Sequence, residues 1–163
     1  MISPLAEQFR ESMRRTASGV AILTTDGAAG RAGLTVSTFC SLSMEPPSVI
    51  ACVHQGNRAL ETLLTNGVFA ASVLAADQER IALAFAGMIP ELRDDRFGSA
   101  AWRTLATGAP VLDNALASFD CRVAEGVNFG THRILIGEVV AISANSGDPL
   151  VFADRNFRRL AAA

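Results

Sequence analysis

Lysine is absent from this chain of 163 residues, and all 14 of its basic residues are arginine. Alanine is abundant, so a base-composition bias is the plain account. One consequence remains: any phosphate the protein holds must be met by arginine, by hydroxyls or by main-chain N–H groups. Charge is scarce in general. Only 18% of residues are charged, the net charge is −2 and the pI is near 5.6, which leaves no basic field of the kind that binds nucleic acid. Cysteine is scarce too. Cys40, Cys52 and Cys121 are odd in number and form no C-x-x-C pair, which favours buried structural thiols over a disulfide framework or zinc site. The two histidines, His54 and His132, are far apart and lack metal-ligand spacing. No stretch reaches the roughly 18 consecutive apolar residues of a membrane-spanning helix. Residues 1–15 form an amphipathic run without the apolar core and cleavage site of a signal peptide, so a cytoplasmic protein is expected. There is no G-x-G-x-x-G, Walker loop, G-x-S-x-G or H-E-x-x-H, which removes the common nicotinamide, nucleotide, hydrolase and zinc-protease templates. Asp94-Asp95 reads as part of a solvated loop.

What is present is apolar. Half the residues are hydrophobic, enough for a single domain over residues 1–163 with one core, and for an apolar face between copies. Helical spacing runs over residues 7–16, 58–64 and from Asp77, which can cap the third helix, to about Phe85. Strand signals run over residues 20–25, 33–39, 48–53, 68–74, 116–124 (interrupted by Asp120), 132–142 and briefly 150–153. The first two are joined by Asp26-Gly27 and predict a hairpin. Pro46-Pro47 bars a sheet ladder and predicts a loop or strand edge. Residues 88–107 carry the single Trp102 and read as irregular. The strands are not separated by regular crossover helices, so a doubly wound parallel sheet fits poorly. The expected fold is mainly β: about six strands in a mostly antiparallel sheet curled into a small barrel, with a few short flanking helices.

Three constellations could carry chemistry. Thr35, Ser37 and Phe39 alternate with Val36, Thr38 and Cys40. Spacing alone fits a half-exposed strand as well as a ligand wall. Ser41 and Ser43, just before the prolines, add small donors and favour the wall. His54-Gln55-Gly56-Asn57-Arg58-Ala59 lies where a strand ends and a helix begins. Free N–H groups there, with Asn57 as a cap and Arg58 in the first turn, suit a phosphate; they equally suit an ordinary N-cap with an exposed arginine. Gly130-Thr131-His132-Arg133 opens the longest strand signal. A histidine there reads first as a surface residue and second as a donor over a ligand at a barrel rim.

In order, these segments resemble the flavin reductase-like family, the small reductase components of two-component flavin monooxygenases. The likeness rests on Phe9-Arg10 with residues 18–25, on Gly33 to Phe39 followed by Ser41-Leu42-Ser43 and Pro46-Pro47, and on residues 69–74 with Gln78. It continues through Phe85-Ala86-Gly87, Asp95-Arg96-Phe97, Trp102, His132 with Gly137-Glu138-Val139, and Pro149-Leu150-Val151-Phe152. The resemblance implies the FMN-binding split barrel, a six-stranded antiparallel split β-barrel of Greek-key type, and NAD(P)H:flavin oxidoreductase activity, with hydride passing from NADH or NADPH to FMN or FAD. It also implies a homodimer, and a flavin-dependent monooxygenase as receiver of the reduced flavin. It assigns Thr35, Val36, Ser37, Thr38, Phe39, Ser41 and Leu42 to the ring and ribityl chain. Cys52, Val53 and His54 would sit beside the flavin. Asn57, Arg58 and Ala59 would lie at the phosphate, with Phe85 and Ala86 nearby. It places His132, Arg155 and Phe157 on the nicotinamide side. Two positions there depart from the family pattern: Thr131 stands where Asp is frequent and Phe157 where Tyr is frequent. On the same scaffold, flavin-dependent reduction of a corrinoid or ferric chelate, or flavin or haem binding without turnover, are the alternatives.

Overall fold

A computed structural model describes residues 2–161. In chain order the elements are α1 (Pro4–Met13), β1 (Ser18–Gly19), β2 (Ala21–Thr25), β3 (Ala32–Val36), β4 (Phe39–Met44), β5 (Pro47–His54), α2 (Arg58–Asn66), β6 (Val68–Val73) and α3 (Glu79–Phe85). Two 3₁₀ turns follow at Pro90–Leu92 and Phe97–Ser99. The chain then continues through β7 (Trp102–Thr104), β8 (Pro110–Leu112), β9 (Ala117–Phe129), β10 (His132–Ala144), β11 (Val151–Ala153) and β12 (Asn156–Arg158). Seven strands make one antiparallel sheet in the order β3-β2-β6-β9-β10-β5-β4. Leu34 and Val36 of the β3 edge share a buried cluster with Val49, Ala51 and Val53 of β5, near the other edge, so the sheet curls onto itself as a barrel.

The main sheet has seven strands where six were expected. The extra one arises because the predicted strand over residues 33–39 is two. It ends at Val36, bends at Ser37 and restarts at Phe39 as β4, the partner of β5. Thr35, Ser37 and Phe39 therefore do not share one strand face. The prolines behave as their chemistry requires. Glu45 and Pro46 form the β4–β5 turn, but Pro47 is already in the ladder, opposite Met44, as the first residue of β5, a strand position that proline tolerates.

β2 reads as a continuous apolar run because both its faces are covered. Ala21 and Leu23 point into the barrel, while Val20 and Ile22 join a second cluster with Leu74, Phe85, Leu112 and Leu150 beneath α3. Gly33 makes that layer possible: a Cβ there would lie 2.6 Å from the Phe85 ring and 3.0 Å from the Leu23 carbonyl. α2 begins at Asn57, whose side chain accepts from the Ala59 N–H at 2.9 Å. It stops at Gly67, in the left-handed region at φ +67°, whose N–H reaches the Leu63 carbonyl.

Three expectations fail locally. Asp77 does not cap α3; that position is Gln78, whose side chain instead accepts from the Ala75 N–H and donates to the Asn114 carbonyl. The stretch 88–107 is only partly irregular. Trp102–Thr104 pairs with Pro110–Leu112, a ladder too short to show a period. Asp120 interrupts no strand either. It is fully buried in β9, where the Thr107 N–H donates to it at 2.7 Å and the Thr107 hydroxyl makes a second, short bond.

Candidate active site

The outer side of β3, roofed by α3, carries a trough with two connected reaches. The first, about 740 Å³, is polar. Its floor is Ala32 to Thr35, its walls are Gly56 to Ala59 with Thr62 at the start of α2, and Phe85, Ala86, Arg93 and Arg96 close it. The second, about 380 Å³, is apolar: Val20, Thr35, Val36 and Ser37 face Ala82, Leu83, Ala86 and Met88, with Phe152, Arg155 and Phe157 at the end. Thr35 and Ala86 line both reaches and join them. A third hollow opens beyond Ser37, Phe152 and Arg155, and includes Thr38, Phe39 and Cys40 against Met13 and Arg14.

Each reach has a sequence cause. The polar one is a helix start, where backbone N–H groups lack intrahelical partners and attract anions. Asn57 is the cap that spacing predicted. Arg58 is exposed in the first turn. Neither Arg93 nor Arg96 was assigned to the site from sequence, where Arg96 stands only within the Asp95-Arg96-Phe97 segment, yet they bring the arginines around this reach to three. Arg96 is held in place by donating to the Phe85 carbonyl at 3.2 Å. The signal available for them was the absence of lysine, which left any phosphate to arginine. The apolar reach is floored by a strand whose side chains are turned elsewhere. Val36 points into the barrel core, and the Thr35 hydroxyl donates to the Ala82 carbonyl at 2.7 Å, tying β3 to α3.

Arg155 has a distinctive mount. Asp154 and Arg155 have φ of 47° and 60° and form the two-residue turn between β11 and β12, the geometry of a primed hairpin turn. A non-glycine pair there is strained, and the strain sets Arg155 at the edge of both the second and third hollows. The Asn156 side chain donates to the Asp154 carbonyl at 2.6 Å and braces the turn. β12 leaves no strand signal in the sequence, because three residues offer no periodicity.

The predicted site residues thus fall into groups. Thr35, Val36, Ser37, Asn57, Arg58, Ala59, Phe85, Ala86, Arg155 and Phe157 line the trough. Thr38 and Phe39 line the adjoining hollow. Ser41 and Leu42 continue outward along the β4 edge, both exposed. Val53 is buried, its side chain packed in the barrel core. Cys52 is half-buried, and its N–H donates to the Thr38 carbonyl at 3.2 Å. Burial, with the neighbouring Cys40, pushes the Cys52 thiol up and keeps it uncharged. His132 is not brought to Arg155 and Phe157. It stands directly opposite His54 across the β5–β10 ladder, with ring centroids 5.2 Å apart. Among the described residues no three His, Cys, Asp or Glu side chains converge as metal ligands.

The family model for the flavin reductase like domain matches residues 13–161, nearly the whole chain and all of this trough. The chain belongs to the flavin reductase-like family. A relative from Bradyrhizobium diazoefficiens, the FMN reductase (NADH) RutF, is 42% identical over 152 residues, covering 93% of this chain and 83% of its own. BorF, the flavin reductase component of a bacterial two-component tryptophan halogenase, superposes with a TM-score of 0.84 at 31% identity, covering 97% of this chain and 99% of that one. The Streptomyces globisporus NADH:FAD oxidoreductase, solved with NAD and FAD fragments, superposes with a TM-score of 0.88 at 30% identity over 99% and 96% of the two chains. The barrel of this flavin reductase-like chain is accordingly the family's split barrel.

Proposed function

We propose that this chain is an NADH-using flavin reductase that binds FMN along the β3 trough and passes reduced flavin to a partner monooxygenase or halogenase. The observation that carries the reading is the trough itself: a helix start flanked by Arg58, Arg93 and Arg96, joined through Thr35 and Ala86 to an apolar slot. That donor set fits a flavin mononucleotide, whose phosphate needs arginine and free N–H groups and whose ring needs a flat apolar bed. The RutF relatives support FMN and NADH, and BorF supports a two-component partnership.

When bound, flavin would supply the hydride acceptor and NADH the hydride, so the redox chemistry is theirs. The chain's own work is positional. Asn57, Arg58, Ala59, Arg93 and Arg96 hold the phosphate. Thr35 to Phe39 offer main-chain groups along the ring and ribityl chain, with Ser41, Leu42 and Cys52 bordering them. Phe85 and Ala86 cover the join between phosphate and ring. Arg155 and Phe157 receive the nicotinamide nucleotide at the far end. No protein acid or base is needed for hydride transfer, in keeping with a trough that holds no histidine or carboxylate.

His132 enters this scheme from a second copy of the chain or from a longer reach of the dinucleotide. The homodimer is supported by the large apolar residues left exposed, including Leu5, Phe9 and Met13 along α1 and Phe129 at the β9–β10 tip. No helix among the described residues is long and apolar enough to cross a membrane, and a cytoplasmic setting suits a reaction that uses NADH.

The test is oxidation of NADH and NADPH with FMN, FAD and riboflavin in turn. Turnover fastest with NADH and FMN is expected. Absence of turnover with every pair would remove the reading.

A further inference from the structure

We infer that His54 is a positioning residue for the hydride donor: it orients His132 and ties it to the phosphate-holding start of α2. The inference rests on the reductase reading above and extends it to a residue outside the trough. Directly opposed residues on neighbouring antiparallel strands project from the same face. His132 is opposed by His54 on one side and by Phe129 on the other, so three rings stand in a row across β9, β10 and β5. All three are exposed. The two imidazoles meet edge to face, at an interplanar angle of 84°, the arrangement that aromatic quadrupoles favour.

The two histidines are held differently. The Gly56 N–H donates to Nδ1 of His54 at 3.0 Å. In the neutral ring that bond leaves the proton on Nε2, so both tautomer and orientation are fixed. A Cβ at position 56 would lie 3.2 Å from the same nitrogen, so glycine is what lets the backbone come this close. Among the described residues the His132 ring has only the Thr131 hydroxyl, 2.9 Å from its Nδ1, as a hydrogen-bond partner. A hydroxyl both donates and accepts and fixes neither tautomer. The defined edge beside His132 is therefore that of His54.

The same corner is stitched to the phosphate end. The Gln55 N–H donates to the Thr131 carbonyl, and its side chain to the Gly130 and His132 carbonyls. The Asn57 N–H donates to the His54 carbonyl, and Asn57 caps α2. A shift of the His54 ring thus reaches His132 through ring contact and reaches the α2 start only through the Gly56 N–H bond to Nδ1, while Asn57 is held by the His54 carbonyl and caps through its own side chain.

That separation makes the inference testable. His54→Asn keeps an acceptor for the Gly56 N–H but removes the ring edge; His54→Ala removes both. With saturating FMN, His54→Asn is expected to raise the KM for NADH about tenfold while kcat changes less and FMN affinity stays within about twofold. His54→Ala should in addition weaken FMN. A KM for NADH within about twofold of wild type in His54→Asn, or a loss of FMN affinity equal to the rise in KM, overturns the inference. Nitrogen-15 spectra of the wild-type imidazoles provide a readout free of variant folding. The Nε2–H tautomer is expected for His54, and both histidines should shift on adding NAD⁺. The other tautomer, or resonances that ignore NAD⁺, also overturns it. If wild type itself oxidises no nicotinamide with any flavin, the reductase reading falls first. If it turns over and His54→Asn matches it, only the role of His54 falls.

Discussion

Arg58 is where the proposed chemistry is most exposed to a single substitution. It stands in the first turn of α2 beside N–H groups that have no intrahelical partner, and no ion pair among the described residues engages its guanidinium. Arg58→Ala should weaken FMN binding by about tenfold to a hundredfold, the loss of one charge-assisted contact of about 1.5–3 kcal/mol. Riboflavin, which has no phosphate, should bind the variant as it binds wild type. Fluorescence titration with both ligands checks the pair of outcomes, and an unchanged FMN affinity removes Arg58 from the phosphate end. Asp120 poses the opposite question, of stability rather than binding. Its fully buried carboxylate accepts both the N–H and the hydroxyl of Thr107. Asp120→Ala strands two donors and should cost about 2–4 kcal/mol, read as a lower midpoint in urea with the slope unchanged.

At the scale of elements, the helices and the long strands were legible because their periods are long enough to register. Residues 58–64 lie within α2, and the Asn57 cap and Gly67 stop fall where their chemistry places them. Residues 20–25 and 33–36 pair as the predicted hairpin. The elements that escaped are short or context-bound: β7, β8 and β12 have three residues each, and the break at Ser37 follows from which neighbour each half pairs with, not from any local signal. The trough was half legible. Asn57 and Arg58 announced a helix start, whereas Arg93 and Arg96 arrive from a loop that only the tertiary fold brings beside it. Gly33 shows how tightly element packing is set. Gly33→Ala would place a methyl 2.6 Å from the Phe85 ring and must push α3 off β3. A loss of about 1–3 kcal/mol is expected, together with slower flavin reduction, because Phe85 and Ala86 line the same trough. Thermal unfolding and NADH oxidation on one sample check both. An unaltered melting temperature would mean that α3 gives way without cost.

For the whole molecule, two properties bear on how it behaves in solution. The exposed apolar residues on α1 and at the β9–β10 tip are expected to be covered by a second copy. Light scattering should then give twice the 17.1 kDa chain mass, and a monomer at all concentrations would leave those residues without an occupant. The second property is alkaline stability. Cys121 is fully buried on β9 beside Phe69 and Leu135. Burial, with adjacent Asp120 as the lesser cause, pushes its thiol from 9.0 up to about 12. Once the unfolded chain begins to lose this proton near pH 9, it binds fewer protons than the folded chain, so stability falls as pH rises. The contribution is fully present below pH 9 and is lost progressively towards about pH 12. Urea midpoints measured from pH 8 to pH 10.5 should therefore decline, and the decline should be shallower in Cys121→Ala, whose lower starting stability reflects the lost packing and not the proton. The thiol should also resist aromatic disulfide reagents at pH 8 in the native protein while exposed Cys40 reacts. Equal slopes in the two proteins, or rapid labelling of Cys121 without unfolding, would show that the barrel interior admits solvent at β9, and the account of that interior as a closed apolar core would have to change.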